Sequence, residues 1–383
     1  GTGSWGGSTW GTPRSTSSSD VKLSNSQWSL NLWGEDLIAT VRGGAIYYYD
    51  TSSSPNRAVL VSGLSGATSV PTTTTLTIIS FPDRHVLALG TDPLSSSGNI
   101  DPMQVRWSDQ EDFTVWAPTV TNSAGDQRLE IGTKIVSATS SKDETVIATD
   151  EALYGMTFVG PPFIFSFRLL AANCGSAGKN VMMTVDSTVF WMGKSNFFVY
   201  DGVVKELPCS VQHFVFDRMQ KDYIDKTFAA HNKAFNEVTW FYVSTANSAG
   251  TANPEPDSYV TFNYQDAAWS IGSLTRTVWS DAFGIRKVPF AFDSSGILYN
   301  HETGTNDNGS AMSSFIESSS LEISQGGDAL FLVDKVIPDL TATSDTNLSL
   351  TIKTRKYPSA PDISKGPFTI TDGYEAREQW NRR

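Results

Sequence analysis

The chain has 383 residues, 39% of them apolar and 11% aromatic, enough to bury a sizeable core in one large repeat-built domain or two smaller ones. Only 18% are charged, below the ~25% of an average soluble domain; Ser and Thr fill the difference, and they suit pleated strands and tight turns better than helix interiors. A net charge of −12 argues against a phosphate-gripping nucleic-acid site, which needs clustered Lys and Arg.

In chain order, residues 1–27 read as an extended arm of Gly, Ser and Thr with two large aromatics, Trp5 and Trp10. From Trp28 the texture changes. Leu37, Ala39 and Val41 alternate with Ile38, Thr40 and Arg42, and Gly43-Gly44 turns the chain into Ile46–Asp50, which predicts a hairpin. Short strands then recur: Leu76–Phe81 with His85–Leu89; Lys134–Ala138 with Thr145–Thr149, Ala152–Phe158 and Phe163–Leu169; Val181–Val185 with Val189–Met192 and Phe197–Tyr200. Ala234–Val243, Tyr259–Tyr264, Val288–Phe292 and Ile297–Asn300 continue the series, and Val211–Lys226 has apolar residues at helical spacing, predicting one helix. Apolar runs that end in an aromatic and a polar turn (Tyr49-Asp50, Tyr200-Asp201-Gly202, Tyr264-Gln265-Asp266, Tyr299-Asn300) echo along the chain. Blades of ~40–50 residues predict an all-β fold, an irregular β-propeller of about six blades over residues 28–312. Residues 313–383, with strands at Ser318–Ile323, Ala329–Val336, Leu348–Thr354 and Phe368–Thr371, read as a separate antiparallel β-sheet or sandwich segment.

No catalytic, cofactor-binding or metal-binding residue is assigned, and no enzyme activity is expected. The histidines at 85, 213, 231 and 301 are not paired at metal-ligand spacing and read as structural. Cys174 and Cys209 cannot build a disulfide framework and are expected to be buried thiols. Asp36, Asp83, Asp109, Asp150, Asp186 and Asp201 are the carboxylates from which a propeller glycosidase would draw its acid and nucleophile. Their turn contexts favour turn formation instead. Asp293-Ser-Ser-Gly296 resembles a sialidase-type Asp box, but it occurs once and without the following aromatic spacing. No stretch approaches the ~18 apolar residues of a membrane helix, so no membrane insertion is expected, and residues 1–20 lack the charged-then-apolar order of a secretory signal.

Several segments in order resemble the nozzle, or DNA-stabilisation, proteins of short-tailed bacteriophages. They are Trp5-Gly6-Gly7 with Trp10-Gly11, WSLNLWGEDLIATVRGGAIYYYD (28–50), PDRHVLALGTD (82–92) and MQVRWSDQEDFTVWAP (103–118), then ETVIATDEALYGMTFVGPPFIFSFRLL (144–170), VFWMGKSNFFVYDGVVKELPC (189–209), ALFLVDKVIPDL (329–340) and LTIKTRKYP (350–358). The resemblance implies a structural virion component, assembled in the host cytoplasm into the tail as a hexameric homo-oligomeric ring. Its implied partners are the tail adaptor protein, tail fibres or spikes, and the genomic DNA, which it retains until ejection. DNA would pass through an acidic channel without specific binding, because a negative lining repels phosphates. The Ser/Thr-rich loops Ser62–Thr75 and Thr121–Asp126 are candidates for subunit contacts or a channel gate. The alternative is a monomeric β-propeller that binds or hydrolyses carbohydrate.

Overall fold

The computed structural model describes residues 27–52, 57–142, 144–248, 253–304, 306–312, 314–321, 333, 348–357 and 359–370. The chain divides into two compact units, residues 1–303 and 304–383. The first is a six-bladed β-propeller. Blade one is the meander β1 (Trp28–Trp33), β2 (Asp36–Val41), β3 (Ile46–Tyr49), β4 (Val59–Leu60); blade two is β5 (Thr74–Ile79), β6 (Val86–Thr91), β7 (Asp101–Trp107), β8 (Gly125–Arg128). Blade three is β9 (Ile135–Ser140), β10 (Thr145–Thr149), β11 (Ala152–Gly160), β12 (Ile164–Ala172); blade four is β13 (Met182–Val185), β14 (Thr188–Met192), β15 (Phe197–Tyr200), β16 (Val204–Leu207). Blade five is β17 (Phe228–Asn232), β18 (Glu237–Tyr242), β19 (Ser258–Asn263), β20 (Ala268–Ser273), and blade six has three strands, β21 (Val278–Ser280), β22 (Phe290–Phe292), β23 (Leu298–Asn300).

All strands within a blade pair antiparallel with their sequence neighbours, and the first strand of each blade lies beside the first strand of the next from β1 to β21. Alternation then puts apolar side chains on both faces of the middle blades, because each sheet is sandwiched between two others. The buried clusters follow that logic. Ile38, Ile46 and Trp116 join blades one and two; Leu89, Trp107, Ile147 and Phe165 join two and three; Val146, Leu153 and Trp191 join three and four. Phe190, Phe197, Trp240 and Phe262 join four and five, and Phe228, Phe241 and the partly buried Trp279 join five and six. Among the described residues, no such cluster joins blade six back to blade one.

The predicted strands of blades one to four are present. Two local departures have physical causes. Ala234–Val243 does not run as one strand: Lys233–Phe235 forms a 3-10 turn closed by left-handed Asn236 (φ 57°), so β18 starts at Glu237. The helix predicted at Val211–Lys226 is two turns, α1 (Gln212–Arg218). It stops because the next residues are captured by a blade: Met219 bridges Ser244, and the Gln220 amide donates to the Val243 carbonyl at 2.8 Å, leaving a 3-10 stretch at Lys221–Lys226.

The second unit begins at Gly304, nine residues before the predicted boundary at 313, and so takes the small hairpin β24 (Asn306–Asp307) and β25 (Ser310–Ala311). A longer hairpin follows, β26 (Leu348–Thr354) with β27 (Ile363–Ile370), confirming the alternation read at Leu348–Thr354. Ser318–Leu321 is not a strand. The rest of the strand predicted at Ser318–Ile323, and that predicted at Ala329–Val336 apart from Val333, lie outside the described residues, as does the arm before Gln27.

Candidate functional site

The nominated carboxylates are dispersed, and most are consumed locally. Asp36 accepts from the Tyr48 hydroxyl at 2.6 Å and from the Thr51 amide at 3.0 Å. Asp201 holds Lys205 at 2.9 Å across its turn, and Asp293 caps the β22–β23 turn by accepting from the Ser295 and Ile297 amides. Asp186 occupies the β13–β14 turn with φ 55° and is exposed. Asp201 and Asp293 make the short-range bonds of turn formers, whereas Asp36 ties the start of β2 to the end of β3 and the loop after it.

A staple repeated in blades two and three ties the second strand to the segment entering the first. Asp92, directly after β6, accepts from the Thr72 amide (3.1 Å) and hydroxyl (2.8 Å); Asp150, directly after β10, accepts from the Thr133 amide (2.8 Å) and hydroxyl (2.6 Å). The preceding threonines match too: Thr91 donates to the Thr73 carbonyl at 2.9 Å and Thr149 to the Ile131 carbonyl at 3.1 Å. The repeated Thr-Asp in LALGTD and VIATD was the sequence signal for it. Gly90 makes the first staple possible: at φ +61° it steps the pairing of β6 with β7, and a Cβ there would lie 2.7 Å from the Thr75 hydroxyl. Burial would raise the Asp92 and Asp150 carboxyls, but the hydrogen bonds from Gly98, Thr72 and Thr73, and from Thr133 and Lys134, hold both below the usual range.

Asp83, His85 and Ser123 form the string of a nucleophile triad: His85 Nδ1 is 2.7 Å from Asp83 Oδ2, and Nε2 is 3.0 Å from Ser123 Oγ. The proton count argues for structure. Ser123 Oγ donates to Asp109 at 2.6 Å, so its hydrogen is directed away from His85, and it also accepts the Gln110 amide at 2.9 Å. The imidazole is fully buried against Phe158 and Phe165. This network therefore pins the loop at Thr121–Asp126, as Asp92 and the Thr68–Trp116 backbone bonds pin Ser62–Thr75.

A cleft of about 140 Å³ opens between blades five and six, lined by His231, Asn232, Glu237, Trp279, His301 and Glu302 among others. Nothing in the sequence brings these together; adjacency of the two blades does. Asn232 Nδ2 donates to Glu302 at 3.1 Å, leaving its buried Oδ1 without a donor. Burial, then the Glu302 charge, raises the Glu237 carboxyl. His301 accepts from Arg276 Nε at 2.9 Å and packs on Trp279, and burial followed by the Arg276 charge pulls its pKa to about 4. An unfolded histidine titrates near 6.5. Because its folded value is lower, protonation favours the unfolded chain, and His301 costs stability progressively as pH falls from about 6.5 to 4. Replacing His301 with Gln is expected to flatten urea midpoints across that window; an unchanged slope would refute this assignment.

His213 is exposed on α1, and the described residues contain no group of three His, Cys, Asp or Glu able to hold a metal. Cys174 is buried, its thiol pushed up to about 11 by burial; Cys209 is only half-buried. Near the inner end of β1, Arg42 pairs with Asp225 at 3.0 Å, Gln27 donates to the Asp225 carbonyl, and Lys179 is pulled down to about 8 by burial and the Arg42 charge.

The largest unexplained features are apolar and exposed. The β11–β12 hairpin outruns its blade: β10 pairs with β11 only as far as Met156, whereas β11 and β12 pair on to Gly160 and Ile164. Its overhanging end exposes Val159 (54%) and Phe163 (78%), and Phe81 is exposed on the β5–β6 turn of blade two.

No protein-family model matches the chain, and no curated protein sequence does. Among solved structures it is similar to BamB from Moraxella catarrhalis, with a TM-score of 0.40 and 13% identity over 70% of each chain. It is also similar to AztD from Citrobacter koseri (TM-score 0.38, 10% identity, 71% of this chain and 67% of that one) and to YCF48 bound to D1 peptide (0.39, 10%, 73% and 78%).

Proposed function

We propose that the protein is a structural, ring-forming subunit of the kind its ordered motifs resemble, the nozzle at the distal end of a short bacteriophage tail. The observation that carries this reading is the overhanging β11–β12 hairpin, whose Val159 and Phe163 would be a solubility liability on a free monomer and are suited to insertion into a neighbouring copy. A knob on one blade entering a different surface on the next copy is a heterologous contact, which closes into a ring when its rotation allows. The segments PDRH and RWSD, which carry part of the resemblance, supply the polar pins of blade two: Asp83, His85, Arg106 and Ser108, all buried, and the partly exposed Asp109, a scaffolding use. In this reading the tail adaptor seats the ring, and the acidic chain lines a channel that DNA slides through.

Mass measurement in solution tests it. The wild-type chain is expected to form a multiple of its 41.7 kDa mass at micromolar concentration or on its adaptor, and Val159→Ser/Phe163→Ser to stay monomeric with an unchanged β-type circular-dichroism spectrum. A 41.7 kDa species under every condition would overturn the proposal. The second reading, a monomeric carbohydrate-binding or carbohydrate-cleaving propeller, is favoured by one observation: aromatic Trp279 and Tyr259 beside Glu237 and Glu302 in the inter-blade cleft. Glycan titration of the monomer, with Glu237→Gln as control, would reveal it.

A further inference from the structure

Blade one has one packed face and one only partly covered face, on which Ala39 is buried, Leu37, Val41, Tyr47 and Tyr49 are half-buried, and Trp28, Leu30, Leu32 and Leu60 are exposed. Register places Trp28, Leu30 and Leu32 of β1, Leu37, Ala39 and Val41 of β2, Tyr47 and Tyr49 of β3, and Leu60 of β4 on the same side, opposite the Ile38 and Ile46 side that packs on blade two. Every side chain on that face is apolar or aromatic. Trp28 is 50% exposed, Leu30 63% and Leu32 74%. An innermost propeller strand is the last place where a soluble fold leaves such residues in water.

We infer that this face is the docking site for the chain's own N-terminal segment, residues 1–26. Three observations select that occupant. The segment joins the face directly: Gln27 is the residue before Trp28, and it is fixed by its carbonyl accepting the Arg42 amide at 2.9 Å and by its side chain reaching Asp225. Its length suffices, since the residues from Trp10 to Gln27 reach up to about 55 Å when extended, several times the roughly 15 Å across four strands. Its composition fits, with Trp5 and Trp10 set in Gly and Ser, and Val21 and Leu23 alternating with Lys22 and Ser24 as in a strand with one apolar side. Charge does not oppose docking, because Arg14, Asp20 and Lys22 are the segment's only charged side chains and the face has none.

The test uses the full chain in a Cys209→Ser background, with Cys174 left buried. The thiol of Leu30→Cys is expected to react with a maleimide at least tenfold more slowly than the same thiol in Trp5→Ala/Trp10→Ala. Equal rates overturn the inference. A second variant, Trp10→Cys/Leu30→Cys, is expected to form an internal disulfide that migrates as a monomer on a non-reducing gel. A disulfide-linked dimer would assign the face to a second copy. A disulfide in Leu30→Cys/Leu298→Cys, with none in the Trp10 pair, would assign it to blade six. Either result overturns the inference while leaving the ring-forming reading to be decided by solution mass.

Discussion

Asp92→Ala is expected to lower the unfolding free energy of the propeller by about 3–5 kcal/mol, the cost typical of breaking a buried charge network. Asp92 is fully buried, and its carboxylate accepts from the Thr72 and Thr73 amides, the Thr72 hydroxyl and the Gly98 amide. Alanine strands all four donors. It also removes the carboxylate whose charge most favours Arg106, which is only 2% exposed and donates to the Asp92 carbonyl at 3.2 Å and to the Ser69 carbonyl. Asp92→Asn keeps the shape and two acceptor lone pairs, so it should cost less than Ala. The pH sign follows from the lowered folded pKa: the carboxylate's contribution is complete above its unfolded value near 3.9 and disappears as pH falls through the lower folded value. Urea titration at neutral pH checks the magnitude; a loss under about 1 kcal/mol would show that the staple is not a stability element.

Trp240→Ala should be comparably damaging, at about 3–5 kcal/mol. The indole is fully buried between blades four and five, packs on Phe197 at 4.9 Å and stacks on Trp269 at 6.1 Å, and donates Nε1–H to the Val181 carbonyl at 2.9 Å. That bond crosses from one blade to the next, so alanine opens a cavity and removes an inter-blade tie together. Trp240→Phe restores most of the volume without the donor, and is expected to recover more than half of the loss. If Phe and Ala prove equally destabilising, the hydrogen bond rather than the packing dominates. Thermal and urea unfolding of the pair decides between them.

The two readings of function divide along which surfaces are finished. The interior staples are satisfied, and the Asp83–His85–Ser123 string is complete as a pin because Asp109 accepts the serine proton. Two exposed apolar surfaces among the described residues are the β11–β12 overhang and the partly covered face of blade one, while the inter-blade cleft keeps a polar atom, Asn232 Oδ1, without a donor.

What the sequence determined alone was local. Period-2 alternation and turn residues placed the two middle strands of blade one, the first two of blade two, all four of blade three and the first three of blade four, but not β1, β4, β7, β8 or β16, because pleat geometry and turn chemistry are short-range properties of consecutive residues and those five strands are short or carry polar residues and a proline. The turn-former reading holds for Asp201, but Asp36, Asp109 and Asp150 accept from donors 12–17 residues away and Asp83 holds a buried histidine, partners that local sequence does not reveal. What tertiary structure decided was everything that depends on which blades are neighbours. Glu237 meets Glu302 and His231 in one cleft, Met219 is pulled out of a helix by Ser244, and His85 of blade two lies under Phe158 of blade three. The alternation of β1 likewise carries no mark of which face stays exposed: Leu30 and Ile38 look alike in sequence, and only the stacking of blade two on one side distinguishes them.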